Sequence, residues 1–180
     1  EDTASPPVLM ESVLITAAID AKEGRDDAVI DLPCAFLHAD MDDLVVMVLC
    51  GDLAEIYGKY ITYGKDGKAI LYVKLQKALY GTLKAALLFY RKLVSELKGR
   101  GFKINEYDPC ISTKMVNGKQ MTITWHVDDL KVSHKSGVEL TKLLRFLGKK
   151  YGNRITVNGG LVHDYLGMDF DYSEPGVVQI

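Results

Sequence analysis

The dipeptide Asn117-Gly118 constrains this chain more than any other short feature, because it lies between two strand-like segments, residues 111–115 and 121–127. Asn-Gly suits the two central positions of a tight hairpin turn, which require positive φ. A third strand-like segment, residues 130–133, follows after only Asp128-Asp129. Strands joined by such short turns run antiparallel. The sequence therefore predicts antiparallel strands with an acidic pair at one hairpin tip.

Apolar residues that recur every three or four positions predict three amphipathic helices, at residues 8–22, 83–98 and 138–151. Further strands are predicted at residues 28–32, 44–49, 60–63, 69–75, 155–157, 162–171 and 177–180. Gly64-Lys65-Asp66-Gly67 predicts a hairpin turn between two of them. This order of elements favours an α+β fold. We predict an antiparallel sheet with helices on one face.

Composition excludes several classes of protein. The 180 residues fit one domain or a piece of a larger one, and the 48% apolar content is ordinary for a globular protein. Cys34, Cys50 and Cys110 form no Cys-x-x-Cys pair, which argues against a zinc module and a secreted disulfide framework. A reduced intracellular compartment is the better expectation. No apolar run approaches the roughly 18–20 residues of a membrane helix, so no membrane partner is expected.

Charge is distributed unevenly along the chain. Residues 1–57 carry 13 acidic and 2 basic side chains, whereas residues 58–103 carry 11 basic and 2 acidic ones. A basic stretch of this size can contact a phosphate backbone. A solvated, lysine-rich helix face explains the same pattern equally well.

Three carboxylates are candidates for a metal site. Asp128 and Asp129 are adjacent between two strands, and Asp31 ends an otherwise apolar strand. Like charges this close repel one another unless a cation neutralises them. If the two segments are neighbours in the sheet, the carboxylates converge into an oxygen site suited to Mg²⁺ or Mn²⁺. The alternatives are that Asp-Asp is ordinary turn chemistry and that Asp31 caps local backbone.

Several motifs together resemble the copia-type retrotransposon reverse transcriptases. Residues 31–37 match the pattern Asp-x-x-x-Ala-Phe-Leu, and residues 75–81 match Leu-x-x-x-Leu-Tyr-Gly. Residues 108–110 read Asp-Pro-Cys, residues 127–130 read Val-Asp-Asp-Leu, and residues 165–168 contain a Leu-Gly pair. Each motif is weak alone, but the set occurs in the family's order across most of the chain.

The resemblance implies a fold and an activity. Residues 1–180 would form a partial polymerase palm with a ferredoxin-like core, without the start of the fingers and without the thumb. The implied activity is RNA-dependent DNA polymerisation, in which two Mg²⁺ or Mn²⁺ ions assist nucleotidyl transfer from a dNTP to a primer 3′-hydroxyl. Asp31 and Asp128 would be the principal metal ligands, with Asp129 assisting.

The resemblance also implies three further groups of site residues. Those that would border the incoming nucleotide are Phe36, Tyr80 and Gly81. Those that would hold the primer terminus are Leu166, Gly167 and Met168. Those that could meet nucleic-acid phosphates are Lys84, Arg91 and Lys92. The alternatives are that Phe36 is a core residue, that Gly81 serves a turn, and that the cations lie on a solvated helix face.

The implied partners are an RNA or DNA template with its primer, a dNTP, and the rest of a retrotransposon polyprotein, including fingers, thumb and ribonuclease H. The implied location is intracellular, in the cytoplasm or in virus-like particles. Two departures from the family pattern keep a second hypothesis open. His126 stands where the family usually has Tyr, and residues 82–86 lack the usual Gln and Pro. The alternative is an inactive, truncated, transposon-derived palm that at most binds nucleic acid.

Overall fold

The computed structural model of the chain describes residues 4–152 and 155–180. The helices are α1 (Met10–Glu23), α2 (Asp52–Glu55), α3 (Ala85–Gly99) and α4 (Gly137–Tyr151). The strands are β1 (Asp26–Asp31), β2 (Val46–Cys50), β3 (Thr62–Tyr63), β4 (Ala69–Lys74), β5 (Lys103–Ile104), β6 (Ile111–Val116), β7 (Lys119–His126), β8 (Asp129–His134), β9 (Thr156–Gly159), β10 (Val162–Tyr165) and β11 (Met168–Asp171). The three predicted helices are confirmed within two residues at each end, whereas the short elements α2 and β5 are absent from the sequence-based predictions.

Six strands form one antiparallel sheet in the order β5-β6-β7-β8-β1-β9. In the chain, the long helix α3 lies between β1 and β7, and α4 lies between β8 and β9. These elements follow a β-α-β-β-α-β succession whose strands lie side by side as β9-β1-β8-β7. This is the ferredoxin-like arrangement. The predicted α+β class is therefore confirmed, together with its antiparallel sheet.

α3 and α4 pack on one face of this sheet. Leu93 and Leu97 of α3, and Leu143 and Leu147 of α4, are buried there. They contribute to one core cluster with the strand residues Ile30, Ile123, Trp125, Leu130 and Val132. Because side chains alternate between the two faces of a strand, the residues between these strand positions point to the opposite side.

α1 lies on that opposite side, with the hairpin formed by β10 and β11. Val13 and Ala17 of α1 are fully buried against Tyr165 and Phe170 of the hairpin, and Val29 of β1 packs beside them. The prediction that the helices cover one face is therefore wrong for α1. Helical periodicity identifies the apolar stripe of a helix, but it does not say which sheet face the stripe meets.

Two predicted strands near the end of the chain require correction. The segment 162–171 is the β10–β11 hairpin rather than one strand, because Leu166 and Gly167 turn the chain with φ of 54° and 74°. An apolar residue at a turn position hides the turn from pattern analysis. Residues 177–180 form an isolated bridge from Gln179 to Asp171 in place of the predicted strand.

A smaller three-stranded sheet, in the order β2-β4-β3, lies between β1 and α3 in the chain. Ala54 of α2 packs against Ala69 and Leu71 of β4, which closes a small core of its own. The predicted hairpin turn is confirmed, since the amide of Gly64 donates a 2.9 Å hydrogen bond to the carbonyl of Lys68.

A buried charge network lies between α1, the sheet and the β10–β11 hairpin; we define it as Asp20, Arg25, Asp27, Lys131 and His163. Lys131 of β8 is ion-paired with Asp20 and, at 3.0 Å, with Asp27. Arg25 lies 3.6 Å from Asp20, and His163 lies 3.2 Å from Asp27. Burial alone would lower the pKa of Lys131, but the two carboxylates outweigh that effect and raise it. Lys131 is therefore charged.

The network predicts how stability depends on pH. Contact with Asp27 raises the pKa of His163 above its ordinary value near 6.5, and burial opposes this only in part. Burial would raise the pKa of Asp27, but His163 and Lys131 together lower it. The His163 contribution to folding is then complete below about pH 6.5 and is lost as the pH rises through the higher folded-state pKa. The Asp27 contribution is lost at the acid end, as the pH falls below about 3.8 through its lowered pKa.

We therefore expect the free energy of unfolding to decrease as the pH rises above about 6.5 and through the raised pKa of His163. Urea denaturation across this range measures it. His163→Gln should flatten that part of the profile, because the titrating group is gone. A profile of unchanged slope in His163→Gln would contradict the assignment.

Candidate active site

The sheet register brings the three predicted carboxylates to one place. Asp31, the last residue of β1, is the direct antiparallel partner of Asp129, the first residue of β8. Directly opposite residues lie about 4.5–5.5 Å apart at their Cα atoms and share one face of the sheet. His126 pairs with Asp129 across the β7–β8 hairpin, so Val127 and Asp128 form its two-residue turn.

Backbone strain is concentrated around these residues. Four non-glycine residues in the described part of the chain have positive φ, namely Cys34, Asn117, Val127 and Leu166. Asn117 is the ordinary turn residue predicted above. Cys34 lies between Asp31 and Phe36, Val127 precedes Asp128, and Leu166 is a predicted primer contact. A β-branched or bulky residue rarely adopts this conformation, and such strain typically occurs at functional sites.

The electrostatics of the site show that its carboxylates interact. The pKa of Asp129 is raised first by partial burial and then by the neighbouring charges of Asp128 and Asp31, while His126 opposes the shift. Carboxylates that repel one another in this way are stabilised by a divalent cation, and oxygen donors are the ligands that Mg²⁺ prefers. The donor chemistry of the site therefore fits Mg²⁺ or Mn²⁺.

The side chains of the site are not arranged around an ion as they stand. Within residues 4–152 and 155–180, no three His, Cys, Asp or Glu side chains form a group ready to enclose a metal. One oxygen of Asp128 instead accepts a 2.7 Å hydrogen bond from the hydroxyl of Tyr80. An ion at Asp128 Oδ2 would either displace the Tyr80 hydroxyl or share the oxygen with it, since a carboxylate oxygen has two lone pairs.

Tyr80 and Phe36 lie side by side at this site. Their rings stack with centroids 4.1 Å apart and planes 28° apart. Phe36 is only 8% exposed and belongs to the main core, whereas Tyr80 is 51% exposed. Burial and the hydrogen bond to Asp128 raise the pKa of Tyr80, so its hydroxyl remains a donor. Gly81 follows with φ of 91°, a conformation that favours glycine.

The β10–β11 hairpin turns at Leu166 and Gly167, and Met168 begins β11. The hydroxyl of Tyr165 donates a 3.4 Å hydrogen bond to the carbonyl of Thr124 in β7. The charge of Asp164 also contributes to the raised pKa of Asp129. These contacts bring the predicted primer-binding turn to the same sheet face as Asp31 and Asp129.

The three cations at helix α3 that were predicted to bind phosphate differ in whether they have an acidic partner. Lys84, just before the helix, forms a 2.7 Å ion pair with Asp43. Lys92 forms a 3.2 Å ion pair with Glu96 one turn further along the helix. Arg91 is exposed. Two of the three cations thus have acidic partners within the chain, with which a phosphate would compete.

The fold and the site together define a class of protein. A β-α-β-β-α-β antiparallel sheet with carboxylates at the tip of a central hairpin is a polymerase-palm-like domain. Over residues 1–180, the chain matches the family model described as reverse transcriptase (RNA-dependent DNA polymerase), and it belongs to that family.

A curated relative agrees with this result. The chain is 27% identical over 153 residues, or 84% of its length, to the retrovirus-related Pol polyprotein from transposon TNT 1-94 of Nicotiana tabacum. The chain spans 11% of the length of that polyprotein. The predicted resemblance to copia-type reverse transcriptases is confirmed. None of the helices in the described part of the chain has the length and apolar character needed to cross a bilayer.

Proposed function

We propose that this chain is the catalytic palm of an RNA-dependent DNA polymerase encoded by a copia-type retrotransposon. The observation that supports this most strongly is the β1–β8 register, which sets Asp31 opposite Asp129 and leaves Asp128 in the adjoining turn. In the proposed reaction the primer 3′-oxygen forms a bond to the α-phosphorus of a dNTP. The bond from that phosphorus to pyrophosphate breaks, and the primer hydroxyl loses its proton.

Asp31 and Asp128 would hold two divalent ions, and Asp129 would assist them. Bound Mg²⁺ or Mn²⁺ supplies activation of the primer hydroxyl and neutralisation of charge on the phosphates. Phe36 would pack under the sugar of the incoming dNTP, and Tyr80 and Gly81 would border the nascent base pair. We infer that an RNA or DNA template with its primer, the dNTP and the remaining segments of a Pol polyprotein are the partners. The expected location is intracellular, in cytoplasm or virus-like particles.

A second candidate function is an inactive palm that at most binds nucleic acid. Two observations favour it: Tyr80 engages Asp128, and no three potential ligand side chains within residues 4–152 and 155–180 form a metal-ready group. The departures at His126 and at residues 82–86 support the same alternative.

Incorporation of dTTP on poly(rA) primed with oligo(dT) distinguishes the two candidates. The polymerase proposal predicts Mg²⁺- or Mn²⁺-dependent incorporation, and the Asp128→Asn variant should lack it. If the chain binds the primed template but incorporates no dTTP with either ion, the inactive palm is the correct function.

The Tyr80–Asp128 hydrogen bond predicts an unusual effect of mutation on metal affinity. If the ion displaces Tyr80 from Asp128, Tyr80→Phe should tighten Mn²⁺ binding several-fold and by at most about tenfold, because a hydrogen bond to a charged group is worth about 1.5–3 kcal/mol before solvent screening. The electron paramagnetic resonance signal of free Mn²⁺ measures the affinity directly.

Tyr151→Phe is the matched control, since the Tyr151 hydroxyl donates a hydrogen bond to Glu96, another carboxylate. This control should leave Mn²⁺ affinity unchanged. Equal or weaker binding by Tyr80→Phe would show that Tyr80 does not compete with the ion for Asp128.

A further inference from the structure

The β10–β11 hairpin is held against the palm by side chains rather than by strand pairing. Within the described residues, its two strands pair with each other, and Asp171 makes one further bridge, to Gln179. The six-stranded sheet ends at β9 and does not include the hairpin. The position of its Leu166-Gly167 turn relative to Asp31 and Asp129 therefore depends on side-chain contacts, both the apolar packing of the hairpin against α1 and its polar contacts to the sheet.

His163 makes one of the polar contacts that join this hairpin to the sheet. Its side chain is fully buried, with Nε2 3.2 Å from Asp27 Oδ2 and Nδ1 3.1 Å from the carbonyl of Gly160. The imidazole also stacks with two aromatic rings, Phe170 at 6.5 Å and Tyr172 at 5.6 Å between centroids. Both ring nitrogens thus have a polar neighbour, and the ring packs against two aromatic side chains of the same hairpin segment.

The rest of the buried charge network holds Asp27 in place. Lys131 contacts both Asp27 and Asp20, and the Ser133 hydroxyl donates a 2.6 Å hydrogen bond to Asp20. Arg25 contacts Asp20 and also Glu23. Asp27 is thus fixed by contacts to Lys131 on one side and His163 on the other. Buried ion pairs contribute little net stability compared with apolar packing, and positional specificity is their better-supported use.

The network lies on the same sheet face as the carboxylates. Asp27 precedes Asp31 by four residues in β1, and Lys131 follows Asp129 by two residues in β8, so each pair shares a face. β10 runs in the direction of β1, with His163 beside Asp27 at one end and Tyr165 near Thr124 at the other. The turn lies about 10 Å beyond His163, towards the carboxylates.

We propose that His163, through its ion pair with Asp27, is a positioning residue that sets the Leu166-Gly167 turn beside the catalytic carboxylates and thereby the site of the primer 3′ end. This inference rests on the proposed function. Asp27 and Lys131 belong to the same positioning unit, although they contact neither primer nor nucleotide.

Fluorescence anisotropy of two labelled RNA–DNA duplexes of equal length, one with a recessed primer 3′ end and one blunt, tests this proposal. The wild-type chain should prefer the recessed duplex. His163→Gln should reduce the ratio of the two affinities by about tenfold, and Asp27→Asn should do the same. In the double variant this ratio should be no lower than in the more affected single variant, because the two residues act as one unit. Hydrogen exchange at residues 162–171 should accelerate more in the variants than exchange in β7 and β8 does.

His134→Gln is the matched control, because His134 is buried at the far end of β8, outside the network. It should keep the preference for the recessed duplex. The proposal is overturned if wild type shows no such preference, if His163→Gln retains it, or if exchange accelerates equally throughout the sheet. The anisotropy experiment measures duplex binding, which does not depend on dTTP incorporation. A chain that discriminates the primer end without polymerising therefore disproves the proposed polymerase activity and leaves the positioning role intact.

Discussion

Asp31→Asn is expected to reduce dNTP incorporation by at least about 10³-fold, the loss that roughly 4 kcal/mol of transition-state stabilisation represents. The amide keeps the shape of the side chain but removes the charge that would hold a metal ion. Asp31 is exposed at the end of β1 and opposite another carboxylate, so its neutralisation relieves repulsion. We expect the free energy of unfolding to change by less than about 1 kcal/mol.

The role of Asp31 can also be measured without catalysis, through the pKa of Asp129 and the affinity for Mn²⁺. Since the charge of Asp31 contributes to the raised pKa of Asp129, Asp31→Asn should lower that pKa, as measured by nuclear magnetic resonance titration. Mn²⁺ binding should weaken in parallel. Asp66→Asn is the control, because Asp66 also lies in a hairpin turn, although in the smaller sheet. If Asp31→Asn incorporated dNTPs at the wild-type rate, the assignment of Asp31 as a metal ligand would be wrong.

Lys131→Met is expected to destabilise the fold by about 3–5 kcal/mol, the usual cost of removing one partner from a buried ion pair. The side chains of Lys131 and Asp20 are each only 2% exposed, and that of Asp27 is 5% exposed. Without the ammonium group, both carboxylates remain buried, with only Arg25 and His163 to compensate them. For a chain of this size the melting temperature should fall by on the order of 10 °C.

The destabilisation should shrink at acidic pH, where Asp20 and Asp27 can take up protons instead. Thermal and urea unfolding at two pH values measures both effects. Lys142→Met is the control, because Lys142 pairs with Glu139 on the surface and is 61% exposed. That variant should have the melting temperature of the wild-type chain. A melting temperature for Lys131→Met equal to that of the control would show that the buried charge network does not stabilise the fold.

Local patterns predicted most of the fold correctly. Asn117-Gly118 specifies its hairpin because few other residues tolerate both turn positions, and the strands on either side are confirmed. The helices were predictable because their apolar stripes extend over several turns. The hairpin at residues 162–171 was missed because Leu166 adopts positive φ against its own preference. Only the surrounding tertiary contacts can impose such a conformation.

The candidate site was predictable in its parts but not in its connections. The motifs identified Asp31, Asp128 and Asp129 as candidates, and the register shows that the first and last are direct partners. Nothing local predicted that Tyr80 would donate to Asp128, because the two residues are 48 positions apart in the chain. The lysine within the apolar strand β8 was the one available sign of the buried charge network, since an unpaired lysine there would be costly.

The sequence by itself determined the family, the elements of the ferredoxin-like core and the carboxylates that are candidates for chemistry. These features are encoded in short motifs and in periodicities of two or 3.6 residues, which each segment carries independently of the others. Only the tertiary structure decided which face α1 covers, which tyrosine engages Asp128, and how Lys131 and His163 join the β10–β11 hairpin to the sheet. Those contacts join residues up to 136 positions apart, the separation of Asp27 and His163. They form because the chain buries its apolar surface cooperatively, which selects one way of packing the helix and sheet faces against each other. No single segment specifies that packing by itself.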